Sequence, residues 1–310
     1  MSVPPVGPAV VPVEPARFAE ITPTVERIEA AVRRADGHPA LGDSAWRDLA
    51  RPGADSCGFS AGDDAYAHLA RADNHVAGQW SLGITIAPPA RTTGARVALI
   101  EAALAHVAAR GGGRVACWVL GADATTDRDL ASCGFVADRD LYEMRVPLPL
   151  ATAAPWPTAF EVRDFVPGRD DDAWLAVNNR AFAGHEEQGD WTAETLARRL
   201  GEAWFDPSLF LLAVDEDGIA GFNWCKVHPA TDTDPPLGEI YVIGVDPRTQ
   251  GTGLGRALAV AGLERLAARG IMIGMLFCAA DNLPALKLYR ALGFDVHRID
   301  RAYEREVAPA

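Results

Sequence analysis

The chain has 310 residues, 49% hydrophobic and 23% charged, the balance of a soluble globular protein with room for two cores. A formal net charge of −13 argues against a phosphate-rich polymer, so no nucleic-acid partner is expected. Five cysteines (Cys57, Cys117, Cys133, Cys225, Cys278) without CxxC spacing predict a reduced, cytoplasmic protein, and seven scattered histidines predict no metal.

The N-terminal stretch carries no Lys or Arg before Arg17 and is broken by Pro4, Pro5, Pro8 and Pro12, so it reads as a loose arm up to about Val13 rather than a signal peptide. Helical periodicity runs from Thr24 to Arg34, a polar loop passes through Asp36, Gly37 and His38, and a second helix lies near Trp46. Gly53 to Ala87 reads as short strands and turns, Ala95 to Arg110 as a helix, Arg114 to Leu120 as a strand and Leu141 to Val146 as a closing strand. Pro147, Pro149, Pro155 and Pro157 mark a linker between domains at 1–150 and 151–310. After it come a strand at Phe160 to Phe165, a helix at Asp170 to Phe182, the polar loop AGHEEQGD at Ala183 to Asp190, and a helix capped by Thr192. Leu209 to Val214 and Ile219 to Val227 form a hairpin across Asp215 to Gly218. The longest apolar window, Ile271 to Ala280, is about half a membrane span, so no membrane partner is expected.

The second half turns on Gly238 to Leu258, GEIYVIGVDPRTQGTGLGRAL. Glu239 to Val245 has the composition of a buried strand, and Gly251, Gly253 and Gly255 lead into a helix whose first N–H groups have no intrahelical acceptor. Such a loop seats a pyrophosphate on main-chain N–H groups. A Walker loop requires Lys and Ser or Thr where Arg256 and Ala257 stand, and a dinucleotide fingerprint does not allow Asp246 to Gln250 between strand and glycine. The run from Gln250 through Gly251, Thr252, Gly253 and Leu254 to Gly255 resembles the acetyl-coenzyme A signature of the GCN5-related N-acetyltransferases (GNAT). Downstream, Asp281-Asn282-Leu283-Pro284-Ala285 and Leu288-Tyr289-Arg290-Ala291-Leu292-Gly293-Phe294 stand at the family's usual spacing, in the order strand, helix, strand, helix, strand. The resemblance implies a mixed α/β fold with a mostly antiparallel sheet flanked by helices, acetyl-CoA as co-substrate, and Tyr289 near the thioester sulfur.

The halves repeat at one offset. Adding 159 takes Pro88 to Pro247, Gly94 to Gly253, Ala109-Arg110-Gly111 to Ala268-Arg269-Gly270, and Gly134-Phe135 to Gly293-Phe294, which predicts two tandem copies of one domain. In that register Gly251 falls on Thr92, Gly255 on Arg96, Asn282 on Asp123 and Tyr289 on Leu130, so the first copy reads as chemically silent. A second acetyl-CoA site would use Ile84, Thr85, Ile86, Arg91, Thr92, Thr93, Gly94, Ala95 and Arg96.

Acetyl transfer to an amine requires a neutral amine, a donor for the oxyanion and a proton for the departing thiolate. Glu239 opens one face of an apolar strand, where burial would raise its carboxyl towards a useful base; a strand-end glutamate in solvent is the alternative. Gly244 and Val245 offer N–H groups to the thioester carbonyl, and Tyr289 is either the thiolate's acid or a core tyrosine.

Two tandem domains with a degenerate first copy, YVIGVDP…QGTGLG, FAGHEEQG, Lys226 on the preceding strand and Asp36 resemble the mycothiol synthase family over nearly the whole chain. That resemblance implies acetyl-CoA-dependent acetylation of the cysteinyl amine of cysteinyl-glucosaminyl-inositol, the final step of mycothiol assembly, by a monomer. It places acceptor contacts at Asp36, Glu187, Lys226 and Glu239, with Phe277 where the family has a sugar-contacting tyrosine. It places acetyl-CoA contacts at Ile243 to Val245, at Gln250 to Arg256, and at Asn282, Leu283, Pro284, Ala285, Leu286 and Lys287. The polar residues His185, Glu186, Glu187 and Gln188 suit a small cationic, hydroxyl-rich amine, or else form a solvated acidic loop. An acetyltransferase for another small-molecule or protein amine, or an acyl-CoA sensor without turnover, are the rival readings.

Overall fold

In the computed structural model, residues 8–71, 79–151, 154–183 and 189–310 are described. They form two compact units: unit 1 holds Met1–Tyr142, Ala279–Asp281 and Arg298–Ala310, and unit 2 holds Glu143–Cys278 and Asn282–His297.

Unit 1 runs β1 (Val11–Val13), α1 (Phe18–Asp36), α2 (Asp43–Ala50), β2 (Cys57–Ser60), β3 (Ala65–Arg71), β4 (Trp80–Ile86), α3 (Ala95–Ala109), β5 (Gly113–Val119), α4 (Ala124–Ser132) and the start of β6 (Val136–Pro147). Two expectations change here. Val11–Val13 is a strand pairing with Gly58–Ser60, not a loose arm; Pro12 is tolerated because β1 is paired on one side only. The first helix begins at Phe18 and continues through Pro23, because Phe18, Val25, Ile28 and Val32 all bury against the sheet and outweigh the lost hydrogen bond. Strand alternation divides β3 between two cores: Ala65, Ala67 and Leu69 face α3, and Tyr66 faces α1 and α2.

Unit 2 continues from β6, whose Pro147 lies inside the strand rather than in a linker. It runs through β7 (Glu161–Asp164), α5 (Asp171–Ala181), α6 (Ala193–Leu200), β8 (Phe210–Asp215), β9 (Gly218–His228), β10 (Leu237–Val245), α7 (Leu254–Ala268), β11 (Ile273–Ala279), α8 (Leu283–Ala291) and the first residues of β12 (Asp295–Val307). The sheet β7-β8-β9-β10 is antiparallel, and β10 meets β11 in parallel across the α7 crossover. One face is an aromatic core in which Trp174, Phe210, Phe222 and Trp224 pack edge-on and stacked; α7 covers the other with Leu254 and Leu258. From Arg298 on, β12 belongs to unit 1, where Arg301–Val307 pairs antiparallel with β5. The repeat is literal at the helices: adding 159 takes Ala95 and Ala109, the ends of α3, to Leu254 and Ala268, the ends of α7. Among the described residues, no helix is long and apolar enough to cross a membrane.

Candidate active site

The site in unit 2 forms where β10 and β11 part. Their parallel ladder covers Leu237–Ile240 against Ile273–Leu276, and a bulge between Ile240 and Val242 then turns β10 while it stays paired with β9. The edge of β10 at Ile243, Gly244 and Val245 is thereby turned towards a wedge between the strands. Gly244 has no room for a Cβ, which would lie 2.8 Å from Phe222 Cζ, so its backbone is drawn tightly onto the aromatic core.

Beyond β10 the chain is held rigidly. Asp246 is buried, accepts from the Arg248 amide at 3.1 Å, and is gripped by Arg180 Nη2 at 2.5 Å. Burial alone would raise the Asp246 carboxyl, but the Arg180 guanidinium and the Arg248 amide outweigh it and hold it below the usual range. Thr249 Oγ1 donates to the Ala220 carbonyl at 2.9 Å and Thr252 Oγ1 to the Thr249 carbonyl at 2.8 Å. Gly251 and Gly253 then take φ of 79° and 84°, left-handed conformations that favour glycine, and a Cβ on either would meet no protein atom within 4 Å. Their glycine identity therefore answers to backbone conformation and to open space beside the loop, not to protein packing. Gly253 is the N-cap of α7, no side chain caps the helix, and the first backbone bond of this turn runs from Ala257 N to Gly253 O at 3.1 Å. The N–H groups of Leu254, Gly255 and Arg256 precede that bond and suit an anion.

The remaining expected contacts divide. Asn282 caps α8 by accepting from Ala285 N at 3.2 Å, so its carboxamide oxygen is engaged within the helix start. Pro284, Ala285 and Lys287 lie on the outer side of that turn, Leu283 is 69% and Phe277 39% exposed, and Leu286 is buried in the core rather than offered to a ligand. Leu254 is likewise buried, which leaves only its backbone for binding. Tyr289 is buried against Phe294 with ring centroids 5.7 Å apart, and burial, with the neighbouring Cys278, pushes its phenol above the ordinary value. It is a hydroxyl that keeps its proton at neutral pH and can donate it.

Glu239 is 6% exposed, which rules against a solvent-facing strand end. Its surroundings are not the apolar layer expected from the strand, however. Oε2 lies 2.6 Å from His228 Nε2, a hydrogen bond whose donor is set by the ring tautomer, and pairs with Lys226 Nζ at 3.2 Å. Lys226, opposite Glu239 on β9, has its ammonium against two adjacent aromatic rings, 5.2 Å from the Trp204 centroid and 5.0 Å from that of Tyr241, which are themselves 5.0 Å apart. Sequence reasoning missed His228, Trp204 and Tyr241; the one available signal was that His228 follows Lys226 by two positions and so shares its strand face. Glu187, with His185, Glu186 and Gln188, lies outside the described residues.

Unit 1 repeats the backbone without the chemistry. Its β4–β5 ladder covers Trp80–Leu82 against Val115–Cys117, and Gly94, with φ of 76°, opens α3 without a side-chain cap. A cavity of about 310 Å³ lies there, lined by Ile84, Ile86, Arg91, Arg96 and Trp118 among others. Arg91 forms a bidentate pair with Asp36 at 2.9 and 2.6 Å, and Arg96 pairs with Asp129 at 3.3 Å. Asp36, implied as an acceptor contact, is therefore committed to Arg91 within unit 1. Leu130 stands fully buried at the Tyr289 position, Thr85 is buried, and Thr92, Thr93 and Ala95 complete the loop.

The family profile of the GNAT acetyltransferases matches residues 174–294. A mycothiol acetyltransferase of Kocuria rhizophila is 40% identical over 282 residues, covering 87% of this chain and 91% of that protein. One from Acidimicrobium ferrooxidans is 41% identical over 292 residues, covering 91% and 93%. Among solved structures, a GCN5-related N-acetyltransferase from Sphaerobacter thermophilus superposes with a TM-score of 0.70 at 24% identity over 97% of this chain and 96% of that one. A tandem GNAT protein from the clavulanic acid biosynthesis pathway gives 0.66 at 16% identity over 97% and 99%. Parted strands, an open glycine-led helix start and full-length similarity to proteins of one name agree, and the chain belongs to the mycothiol acetyltransferase family of GNAT N-acetyltransferases.

Proposed function

We propose that the protein transfers the acetyl group of acetyl-CoA to the cysteinyl amine of cysteinyl-glucosaminyl-inositol, the step that completes mycothiol, acting as a monomer in unit 2. The observation that carries the reading is a buried carboxylate, Glu239, held by two basic side chains of β9 close to where β10 leaves β11, on the strand whose far end leads into the uncapped start of α7. In this reading Gln250 to Arg256 seat the pyrophosphate, the pantetheine arm lies along Ile243 to Val245, and the Gly244 or Val245 amide holds the thioester carbonyl as it becomes an oxyanion. Glu239 takes a proton from the acceptor ammonium, and the neutral nitrogen attacks the carbonyl carbon. The C–S bond breaks, and Tyr289 gives the departing thiolate its proton. Lys226 and Glu239 hold a small polar acceptor, Glu187 and Asp36 are the further contacts the family match suggests, and Phe277 offers a ring face without a hydroxyl.

The test is direct. Purified protein is incubated with acetyl-CoA and either cysteinyl-glucosaminyl-inositol, an aminoglycoside or a peptide N-terminus, and free CoA and acetylated product are measured. Turnover confined to the cysteinyl pseudodisaccharide supports the reading; preferential turnover of another amine replaces the acceptor, and binding without turnover with all of them leaves only an acyl-CoA sensor.

A further inference from the structure

Acetylation of an ammonium releases a proton that has to leave a buried site. Written out, R–NH3+ and the thioester give the amide, the free thiol and one proton: an N–C bond forms, the C–S bond breaks, and the nitrogen sheds two protons. One goes to the thiolate sulfur. The other is taken up by Glu239, which is 6% exposed. Each turnover therefore needs a path from that carboxylate to water.

We infer that His228 is the proton relay of this site, carrying the proton from Glu239 to solvent. Three observations support it, and the inference rests on the acetyl-transfer reading. His228 Nε2 lies 2.6 Å from Glu239 Oε2, direct hydrogen-bond contact, whereas its side chain is 35% exposed against 8% for that of Glu239. One ring thus joins the buried carboxylate to the surface. Lys226, the other neighbour of Oε2, sits 3.2 Å away, and its side chain is 19% exposed and held near the Trp204 and Tyr241 faces. The lysine has a single nitrogen, already paired with the carboxylate, whereas the imidazole ring has a second nitrogen away from it through which a proton can leave. Finally, both described contacts of the carboxylate fall on Oε2, which leaves Oε1 as the oxygen that meets the acceptor nitrogen.

The relay balances. Once the carboxyl has turned to bring its proton to Nε2, a neutral ring with hydrogen on Nδ1 accepts that proton and releases the Nδ1 proton to water. The ring then turns its Nε2–H to solvent and exchanges to the first tautomer before it meets the carboxylate again, so that one proton leaves per turnover. His228 changes charge only in passing, and Glu239 is again ionised beside Lys226 at the end of the cycle.

The experiment replaces His228 with Gln, which still donates a hydrogen bond to Glu239 but carries no exchangeable proton path, and with Asn as a second variant. Steady-state kinetics are measured in a non-coordinating, low-concentration buffer, with and without added imidazole, alongside thermal melting. In His228→Gln protein that melts like wild type, kcat is expected to fall by about tenfold or more with KM for acetyl-CoA unchanged, and imidazole is expected to restore it saturably while leaving wild type unaffected. A kcat within about twofold of wild type, or a deficit that imidazole fails to relieve in both variants, overturns the relay. Absence of acetylation by the wild-type protein is a separate result: it removes the acetyl-transfer reading, and this inference with it.

Discussion

The two helix-opening glycines allow strain and ligand exclusion to be separated. Gly253 and Gly94 occupy equivalent N-cap positions with φ of 84° and 76°. A left-handed conformation costs an L-residue about 1–2 kcal/mol, and a β-branched one sits at the upper end. Gly253→Val and Gly94→Val should therefore each lose about 2 kcal/mol, well inside the stability of an ordinary domain, and lower Tm by about 4–8 °C in a unit of this size. Neither change is expected to unfold the chain. The difference lies in which half turns over: at Gly253 a Cβ meets no protein atom within 4 Å, so the valine projects into space that the reading assigns to the pyrophosphate of the reacting acetyl-CoA. Gly253→Val is expected to abolish acetylation, and Gly94→Val to leave kcat near wild type. Melting curves with steady-state kinetics on both variants decide it. Abolished kcat in Gly94→Val protein that is still folded at the assay temperature would show that the first loop feeds the reaction and that the working half has been misassigned.

Glu239→Gln should keep acetyl-CoA affinity and lower kcat by about a hundredfold or more, because the amide cannot take the ammonium proton; wild-type turnover at pH 7 removes Glu239 from the mechanism. Tyr289→Phe should lower kcat more than it weakens acetyl-CoA binding, since thiolate charge develops only as the thioester breaks, and an unchanged kcat returns the residue to core packing. Asp36→Ala separates its two assigned partners: a raised KM for the amine alone supports acceptor contact, and an altered acetyl-CoA affinity alone points to its pairing with Arg91. The Asp170 carboxyl is another probe: burial alone would raise it, but Arg163, Arg169 and the Val166 amide outweigh this and lower it. A carboxyl whose folded value lies below its unfolded one contributes stability above the unfolded value, about 4, and that contribution is lost as pH falls further. Asp170→Asn should thus be less stable than wild type at pH 7, with the gap narrowing towards pH 2; a gap independent of pH would refute the ionic origin.

The features legible in the sequence were those carried by local chemistry. Glycines at Gly251 and Gly253, the proline-led turn at Pro247 and the 159-residue register each follow from backbone preferences that residues impose on themselves, and the structure shows them with matching helix ends at α3 and α7. What was illegible depends on pairing over distance. Alternation along β12 says that it is a strand but not which strand it joins, so the passage of Arg298–Ala310 into unit 1 had no local signature. The surroundings of Lys226 are similar: Trp204 and Tyr241 meet each other beside its ammonium, and nothing in the local pattern links Trp204 to that strand. Glu239 was read as a base in an apolar layer because strand periodicity reports the face and not the neighbours; two basic side chains on β9 supply partners that the pattern could not show.

The backbone of unit 1 has kept a feature that folding alone does not favour. A helix N-cap ordinarily has extended backbone and a Ser, Thr, Asp or Asn side chain, worth about 1 kcal/mol; α4 and α6 open this way on Asp123 and Thr192, and Asn282 caps α8 with its side chain. Both α3 and α7 instead open on a left-handed glycine with no side-chain cap. In unit 2 the phosphate that the proposed reading seats on the open N–H groups would offset that cost. In unit 1 Leu130 is buried at the position equivalent to Tyr289, yet the open helix start, the parted strands and two arginines around a cavity of about 310 Å³ are present. A loop kept at that cost beside Arg91 and Arg96 fits retention of an acyl-CoA by a half that no longer turns it over. The carboxylates of Asp36 and Asp129 then serve as the stand-in anions that the two guanidinium groups exchange for phosphate. On this account Gly94→Val should cost the protein a bound nucleotide while sparing its turnover, which is the asymmetry the paired variants measure.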